Sequence, residues 1–306
     1  MKVWLTGGTG MVGRNILEHS FWNNHDVSSP SREELDLLDF NEVNNWVKIN
    51  KPDFVIHAAG IVGGIEANIN DPIKFYLENL DLGRNVIWAS KLNNIKSLLN
   101  LGSSCMYPRT AGNPLNEDMI LTGQLEPTNE GYALAKIMAY KLCEYISKDS
   151  NNFQYKTLIP CNIYGRYDHF DPIKSHLIPA VIQKIHLAKV GNLKSVEIWG
   201  DGLARREFMY AGDLADAICQ AVDSFQTLPN CMNIGLGEDY SITNYYHTIA
   251  KAIGYKGSFN YNLSKPVGMA RKLVCIDKQN NWGWKHKMSL EEGIYLAYDY
   301  YLNQVK

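Results

Sequence analysis

The sequence of 306 residues lacks a large net charge, closely spaced cysteine pairs and long hydrophobic runs. A net charge of −2 at pH 7 gives no reason to expect nucleic acid or an anionic membrane as a partner. The six cysteines include no Cys-x-x-Cys pair, so we expect neither a metal site nor a redox dithiol. No apolar run reaches transmembrane length, and the chain starts with a strand rather than a signal peptide. We therefore expect a cytoplasmic protein with reduced thiols.

Apolar runs alternate with amphipathic segments through the first half of the chain. Residues 3–5, 53–57, 98–101 and 155–160 are predicted to be buried strands, with another strand near 26–29. Helical spacing begins at residue 11 and recurs over 72–91 and 130–147. Strands and helices in alternation predict an α/β fold of the Rossmann type, with a doubly wound parallel sheet.

The alternation weakens after about residue 165, although it returns near 213–224. Segments 166–205 and 240–306 are richer in aromatic residues, glycine and proline, and residues 289–303 have the spacing of a closing helix. We predict a Rossmann domain of residues 1–165 plus 206–239. Residues 166–205 plus 240–306 would form a smaller mixed lobe that closes over the carboxyl ends of the strands, where such sheets bind ligands.

A glycine-rich turn follows the first predicted strand. Gly7, Gly10 and Gly13 have the spacing G-x-x-G-x-x-G, and Met11 and Val12 begin the helix that follows. Glycines let the backbone turn tightly and approach a pyrophosphate, while the helix N-terminus offers N–H groups to the anion. A tight turn without a ligand is the alternative, but the strand and helix on either side favour dinucleotide binding.

The second strand bears on the choice between NAD and NADP. An acidic residue about 20 residues past the loop would hold a free ribose 2′-hydroxyl, but the chain here reads Ser-Pro-Ser-Arg over residues 29–32. Arg32 and the serines would suit a 2′-phosphate, which favours NADP(H), unless Arg32 is a solvated surface residue. Further cofactor contacts are expected from Asp36 and Leu37 near the adenine, and from the small residues Ala58, Ala59 and Gly60 after the next strand.

Tyr132 and Lys136 stand four residues apart in a predicted helix, so both face the same way. A nearby ammonium would lower the pKa of the tyrosine, which could then give a proton to a carbonyl oxygen as hydride arrives at its carbon. Lys136 could also hold the nicotinamide ribose, and Ser103 could share the carbonyl oxygen. A Tyr-x-x-x-Lys pair is common by chance, but with the glycine loop it predicts a carbonyl reductase.

Cys105 is a thiol that hydride transfer does not need. In an extended segment, residues two apart point to the same face, so Ser103 and Cys105 are expected to line one pocket. A carbonyl acidifies the C–H bonds beside it. A thiolate could remove such a proton, and an acid on the opposite face could return one. The alternative is a small buried filler, the commonest role of a free cysteine.

Together these residues resemble the GDP-L-fucose synthase family, which are 3,5-epimerase/4-reductases of the extended short-chain dehydrogenase/reductase group. The resemblance covers nearly the whole chain, with motifs at residues 10–13, 62–65, 101–108, 126–130, 175–180, 199–202, 206–208 and 264–266. It implies NADPH-dependent reduction of a GDP-4-keto sugar at C4, with epimerisation at C3 and C5, for surface polysaccharide biosynthesis. It also implies a homodimer formed through a four-helix bundle, with Trp88, Tyr140 and Leu142 as possible contacts.

The resemblance assigns roles to matching positions. Ser103, Tyr132 and Lys136 would reduce, Cys105 would be the base of epimerisation, and His176 would be its acid. The expected cofactor contacts also include Leu101, Gly102, Pro160, Asn162, Ile163 and His176, and the expected substrate contacts are Ser104, Cys105, Asn162, Lys184, Trp199, Arg206 and Lys272. From the residues alone, His176 could be structural, Trp199 could be core, and Arg205 is as plausible as Arg206 at a diphosphate.

Two positions depart from the family pattern. Thr9 replaces a basic residue that some members carry in the glycine loop, and Val267 replaces a frequent aspartate. Two other functions stay open at this point. One is a reductase without epimerase activity, acting on a GDP-4-keto-6-deoxymannose or a GDP-4-keto-heptose after a separate epimerase. The other is a non-catalytic NADP-sensing protein on the same fold.

Overall fold

A computed structural model describes residues 1–171, 175–265 and 268–304. Within these ranges the strands are β1 Lys2–Thr6, β2 Asp26–Ser28, β3 Phe54–His57, β4 Ser97–Leu101, β5 Gln154–Pro160, β6 Asn162–Tyr164, β7 Ser195–Trp199, β8 Arg205–Arg206, β9 Phe208–Tyr210, β10 Cys231–Ile234, β11 Tyr240–Ser241, β12 Ser258–Asn262 and β13 Arg271–Lys272. The α-helices are α1 Met11–Leu17, α2 Phe40–Asn50, α3 Ile65–Asn70, α4 Pro72–Leu92, α5 Glu130–Asp149, α6 Leu177–Val190, α7 Ala211–Asp223, α8 Ile242–Ile253, α9 Asp277–Trp282 and α10 Leu290–Gln304.

The central sheet has six parallel strands in the order β10-β5-β4-β3-β1-β2. The strands predicted near 3–5, 53–57, 98–101 and 155–160 are confirmed as β1, β3, β4 and β5. The chain order reverses between β1 and β3, which is where doubly wound sheets open a crevice for ligands. The predicted α/β fold of the Rossmann type is thereby confirmed.

Both faces of the sheet are buried, which explains its nearly continuous apolar strands. Along β1, Trp4 packs with α2, α4 and α5, whereas Val3 and Leu5 pack into a second apolar cluster on the other face, which includes residues of α7. Helices therefore cover the sheet on both sides. This leaves the ends of the strands as the accessible part of the sheet, and the candidate site lies at their carboxyl ends.

The C-terminal segments build a third apolar cluster of their own. It combines residues of α6, α8 and α10 with residues of β7 and β9. Three small sheets accompany it: β12 pairs with β7, β6 pairs with β9, and β8 lies between β11 and β13. Among the helices of the described ranges, none combines the length and apolar character needed to cross a bilayer.

Candidate active site

The glycine turn between β1 and α1 is too tight for side chains. Gly7 has a φ of +76°, and a Cβ on it would lie 2.8 Å from the Cα of Ala59. A Cβ on Gly13 would lie 2.2 Å from the carbonyl oxygen of Gly7. Gly10 is the N-cap of α1 without a side-chain cap. The turn therefore presents bare backbone to the crevice, as a bound pyrophosphate requires.

The end of β3 is fixed to the glycine turn through Thr6. The Thr6 hydroxyl accepts the N–H of Ala59 at 3.1 Å and lies 2.9 Å from Nδ1 of His57. Burial, with a smaller contribution from the charge of Lys136, lowers the pKa of His57 to about 3. His57 is therefore neutral at physiological pH and acts as a fixed hydrogen-bonding group beneath the crevice.

The residues after β2 lie along the adenine side of the predicted cofactor site. A Cβ on Gly8 would lie 1.9 Å from the hydroxyl of Ser29, so the serine sits against the glycine turn. Arg32 is exposed. The carboxylate of Asp36 accepts the N–H of residue 38 at 3.1 Å, and Leu37 packs on the cluster around α2. The preference of Arg32 for a 2′-phosphate stays a prediction.

Lys136 is a buried lysine that joins α5 to the sheet. Its ammonium donates to the carbonyl oxygen of Leu101 at 3.0 Å. A Cβ on Gly60 would lie 3.5 Å from the same Nζ, so the small residue makes room for the amine. Burial lowers the pKa of Lys136 to about 8. The amine is thus charged at neutral pH and close to its titration range.

Tyr132 lies one helical turn before Lys136. Burial raises the pKa of the phenol, as does Cys105 to a smaller extent, while a hydrogen bond from Ser103 acts in the opposite direction. The prediction that Lys136 lowers this pKa is wrong here. The ammonium is directed at the Leu101 carbonyl and lies 5.9 Å from the centre of the Tyr132 ring. Tyr132 is consequently a neutral phenol that can donate its proton.

Cys105 lies in a 3-10 turn rather than in an extended segment. The strand β4 ends at Leu101, and residues Ser104–Met106 form the turn, so strand alternation does not explain the proximity of Ser103 and Cys105. Ser103 caps the turn instead, because its hydroxyl accepts the N–H of Cys105 at 3.2 Å. Ser104 is buried, and Cys105 is half-buried. Ser103 and Cys105 are thus neighbours because Ser103 caps the turn that contains Cys105.

Two side chains contact the Cys105 sulfur. Nδ2 of Asn129 donates to it at 3.0 Å, and Nζ of Lys272 lies 3.4 Å away. Arg206 is also close enough to interact with it electrostatically. No role is predicted for Asn129 from sequence, although it lies in the family motif at 126–130 and three residues before Tyr132. The thiol therefore faces hydrogen-bond donors and cations.

His176 stands at the N-cap of α6 and is half-buried. Burial lowers its pKa, and the charge of Lys272 lowers it further. Lys272 thus acts electrostatically on His176 and contacts Cys105. The two residues predicted to be the acid and base of epimerisation share one cationic neighbour, which brings them to the same part of the crevice.

The structure separates the roles of two adjacent arginines. Arg205 donates to the buried carboxylate of Asp239 at 2.7 Å, and Arg271 contacts the same carboxylate at 2.5 Å. Successive residues of a strand point to opposite faces. Arg206 interacts electrostatically with Glu126 and Cys105 instead. This geometry favours Arg206 over Arg205 as the residue that faces a substrate.

Lys184 lies on α6 and Trp199 ends the neighbouring strand β7. Nζ of Lys184 donates to the carbonyl oxygen of Glu197, and Nζ of Lys265 lies 4.8 Å from the centre of the Trp199 ring. Burial lowers the pKa of Lys184, and Lys265 contributes to the shift. Lys265 belongs to the motif at residues 264–266, and no separate role is predicted for it from the sequence. Val267, the other departure in that motif, lies outside the described residues.

Asn162 is hydrogen-bonded to the backbone of Glu207, which lies between β8 and β9. Pro160 ends β5, and Asn162 and Ile163 lie in β6, where Nδ2 of Asn162 donates to the Glu207 carbonyl oxygen at 2.8 Å. The buried Glu207 carboxylate has a pKa raised by burial to about 7. It accepts three backbone N–H groups, from Leu236, Gly237 and Val274. Apart from the motif at residues 206–208, no sequence pattern indicates a role for Glu207.

The profile of the NAD dependent epimerase/dehydratase family matches residues 3–235. GDP-L-colitose synthase of Yersinia pseudotuberculosis is 57% identical over 304 residues, which are 99% of each chain. GDP-L-fucose synthase of Azorhizobium caulinodans is 48% identical over 301 residues, covering 98% of this chain and 96% of the relative. A GDP-mannoheptose C4 reductase from Campylobacter jejuni, with NADP bound, superimposes with a TM-score of 0.88 at 34% identity over 98% of each chain. The chain belongs to the NAD dependent epimerase/dehydratase family and, within it, to the GDP-L-fucose synthase group.

Replacing Gly13 with Ala tests the glycine turn. The new Cβ would collide with the Gly7 carbonyl oxygen at 2.2 Å, so the turn must move. We expect NADPH to bind at least about tenfold more weakly, and the free energy of unfolding to fall by about 1–3 kcal/mol, as for other overpacked sites. Fluorescence titration and thermal unfolding measure the two effects. Gly112→Ala is the control, because a Cβ there meets nothing within 4 Å. Unchanged NADPH affinity in Gly13→Ala would contradict the assignment.

The pKa of Lys136 predicts the pH dependence of carbonyl reduction. Because its pKa lies near 8, the amine is charged below this pH and loses its charge above it. Single-turnover NADPH oxidation should therefore be constant from pH 6 to about 7.5 and decline as the pH rises through about 8. Lys136→Arg, although slower, should not show this decline, since a guanidinium stays charged. A flat wild-type profile up to pH 10 would refute the role of the charge.

Proposed function

We propose that this chain is an NADPH-dependent C4-ketoreductase of a GDP-4-keto sugar, which also epimerises the carbons beside the ketone. The observation that carries the proposal is the position of the Cys105 thiol, beside the cations Lys272 and Arg206 and near the Tyr132 phenol. A reductase alone needs the phenol and Lys136. The thiol and His176 add groups that can move protons on carbon, which fits the relationship to GDP-L-fucose synthases.

The residues of the predicted cofactor site fit NADPH. The bare turn at Gly7, Gly10 and Gly13 would hold the pyrophosphate, and Lys136 would hold the nicotinamide ribose. When bound, NADPH supplies the hydride that reduces C4. Tyr132 gives its proton to the carbonyl oxygen, and Ser103 donates a hydrogen bond to the same oxygen. The Lys136 ammonium is directed at the Leu101 carbonyl oxygen, so its charge would hold the ribose in place rather than lower the pKa of the phenol.

Epimerisation uses the same carbonyl. The 4-ketone acidifies the C–H bonds at C3 and C5. The Cys105 thiolate takes the proton, the electron pair moves to the carbonyl oxygen, and Ser103 and Tyr132 stabilise the resulting enediolate. Protonated His176 then gives a proton to the opposite face, so a C–H bond forms as an N–H bond breaks. Reduction at C4 removes the acidity and makes the new stereochemistry permanent.

The sugar is the second part of the proposal. The relative with 57% identity is a GDP-L-colitose synthase, and colitose is a 3,6-dideoxy sugar in which C3 is not a stereocentre. This supports a GDP-4-keto-3,6-dideoxy sugar, with inversion at C5 only, as a second candidate beside GDP-4-keto-6-deoxymannose. The GDP-mannoheptose C4 reductase among the solved structures supports a third, reduction without epimerisation. A non-catalytic NADP sensor would not need the phenol, the buried lysine and the thiol together.

We further propose a cytoplasmic homodimer that supplies a sugar for capsule or lipopolysaccharide. Residues 1–165 plus 206–239 would bind NADPH, and residues 166–205 plus 240–306 would bind the nucleotide sugar. The dimer would pair α4 and α5 with their copies in a four-helix bundle. Trp88 on α4 is 41% exposed, as a contact should be, whereas Tyr140 and Leu142 are half-buried. The exposed apolar side chains of the two helices are Ile73, Tyr76, Leu77, Trp88, Leu92, Leu134 and Tyr145.

Hydrogen exchange separates epimerisation from reduction. We expect deuterium at C3 and C5 when the protein is incubated in heavy water with GDP-4-keto-6-deoxymannose and without NADPH. Cys105→Ser should slow this exchange by about a hundredfold or more, which is typical for loss of a catalytic base. Mass spectrometry and proton NMR measure the exchange. If the wild type exchanges neither position, the protein is a reductase only.

Tyr132→Phe is the matched variant for reduction. It should slow NADPH oxidation by about a hundredfold or more while the Cys105-dependent exchange continues at a measurable rate. The same assays with the 3,6-dideoxy ketone and with the heptose ketone, followed by product analysis, identify the sugar. Unchanged NADPH oxidation in Tyr132→Phe with every ketone would refute the catalytic assignment.

Leu134→Glu tests the proposed dimer. Leu134 is 40% exposed on α5, so a charge there should be tolerated by the fold but would be buried without a partner in a bundle. Light scattering at micromolar concentration should give the mass of a dimer for the wild type and of a monomer for Leu134→Glu. Leu187→Glu, on the exposed face of α6, is the control and should stay dimeric. A monomeric wild type would exclude the bundle.

A further inference from the structure

Lys272 is held against the Cys105 thiol by a rigid backbone. Its strand, β13, pairs in parallel with β8, and Lys272 is in register with Arg206. The next two residues are fixed as well: Asn113 accepts the N–H of residue 273 at 2.8 Å, and Glu207 accepts that of residue 274 at 2.9 Å. With both flanks anchored, the ammonium reaches the sulfur at 3.4 Å.

We infer that Lys272 is a positioning residue for epimerisation, which holds the Cys105 sulfur in place and stabilises negative charge on it. This inference rests on the epimerase activity proposed above, and it differs from a role for Lys272 in binding the GDP moiety. An ammonium in contact with sulfur stabilises the negative charge that forms when the thiol loses its proton. The lysine itself neither takes nor gives the proton that moves on carbon.

The other groups around the sulfur do not replace this charge. Asn129, from the turn before α5, donates a neutral hydrogen bond at 3.0 Å. Tyr132, from α5, is a phenol whose pKa is raised by burial and by Cys105, so it is uncharged at neutral pH. Arg206, from β8, is cationic, but Glu126 also acts on it, so its charge is partly balanced. Lys272 therefore brings a cation into direct contact with the thiol, at 3.4 Å.

The charge of Lys272 also acts on His176, where it favours the neutral imidazole. Burial lowers the pKa of His176, and Lys272 lowers it further, so an imidazolium formed there gives up its proton readily. One cation thus favours loss of a proton from sulfur and loss of a proton from the imidazole. The reduction step depends on Ser103 and Tyr132 and needs neither effect.

The titration of the Cys105 thiol is the direct test. The rate of alkylation by iodoacetamide is measured from pH 5 to 10 in the full-length protein and resolved by mass spectrometry to the peptide that contains Cys105. We expect the midpoint of this profile to rise by about one pH unit or more in Lys272→Met, the usual effect of removing an adjacent opposite charge. In Lys272→Arg, the charge remains and the midpoint should stay close to that of the wild type.

Two controls accompany this test. Lys285→Met removes an exposed lysine from the loop between α9 and α10 and should leave the midpoint unchanged. The peptides that contain the buried Cys143 and Cys161 report whether a variant has opened the fold. If Lys272→Met does not fold, Lys272→Gln replaces it under the same criterion. A wild-type midpoint in the folded neutral variant overturns the inference.

The catalytic readout distinguishes this inference from the proposed function. At pH 7, Lys272→Met should slow deuterium exchange beside the ketone by about tenfold, in line with a shift of one pH unit. Lys272→Met should slow NADPH oxidation with an already epimerised ketone by a smaller factor than it slows the exchange. An equal loss in both rates would overturn the inference, because Lys272 would then be a general substrate contact. If the wild type shows no exchange, the epimerase proposal fails, whereas the alkylation profile still decides the pairing of Lys272 with the thiol.

Discussion

The crevice depends on one buried hydrogen bond, from the Lys136 ammonium to the Leu101 carbonyl oxygen. Burying an amine is costly unless it is paired, so the sheet and α5 are held in one relative position. Gly60 must stay small beside the amine, and His57 stays neutral partly because of the lysine's charge. Tyr132, one turn away on the same helix, is thereby fixed at the end of β4. The groups proposed for reduction are thus placed by the packing of a single side chain.

Local signals were sufficient to predict the Rossmann part of the chain. Apolar strands, the glycine spacing and the Tyr132–Lys136 pair are each encoded within a few residues. Cys105 lies beside Ser103 as predicted, but for a different reason. A serine cap turns the chain into a 3-10 turn after β4, and strand alternation does not continue. The pKa of Tyr132 was predicted with the wrong sign, since helix spacing cannot reveal that the lysine donates elsewhere.

The part that sequence reasoning missed is built from distant segments. Asn129 and Lys272 reach the same sulfur from positions far apart in the chain, and Glu207 gathers backbone N–H groups from two other loops. Such contacts arise from packing between segments that are distant in the chain, and no short pattern encodes them. The choice between Arg205 and Arg206 is similar. This choice depends on Asp239, which pairs with Arg205 on one face of β8. The spacing of residues in the sequence does not reveal that ion pair.

The cationic surroundings of Cys105 have a consequence for the handling of the protein. A thiolate is the form that peroxides attack, and oxidation of thiols follows thiolate character and exposure. Burial raises the pKa values of three other cysteines, Cys143, Cys161 and Cys219. These thiols are protected from oxidation because they are inaccessible and stay protonated. Cys105 is half-buried beside an ammonium. Ageing in air would therefore damage Cys105 ahead of these three cysteines, and in a preparation stored without reductant the proposed epimerisation would fail before the proposed reduction.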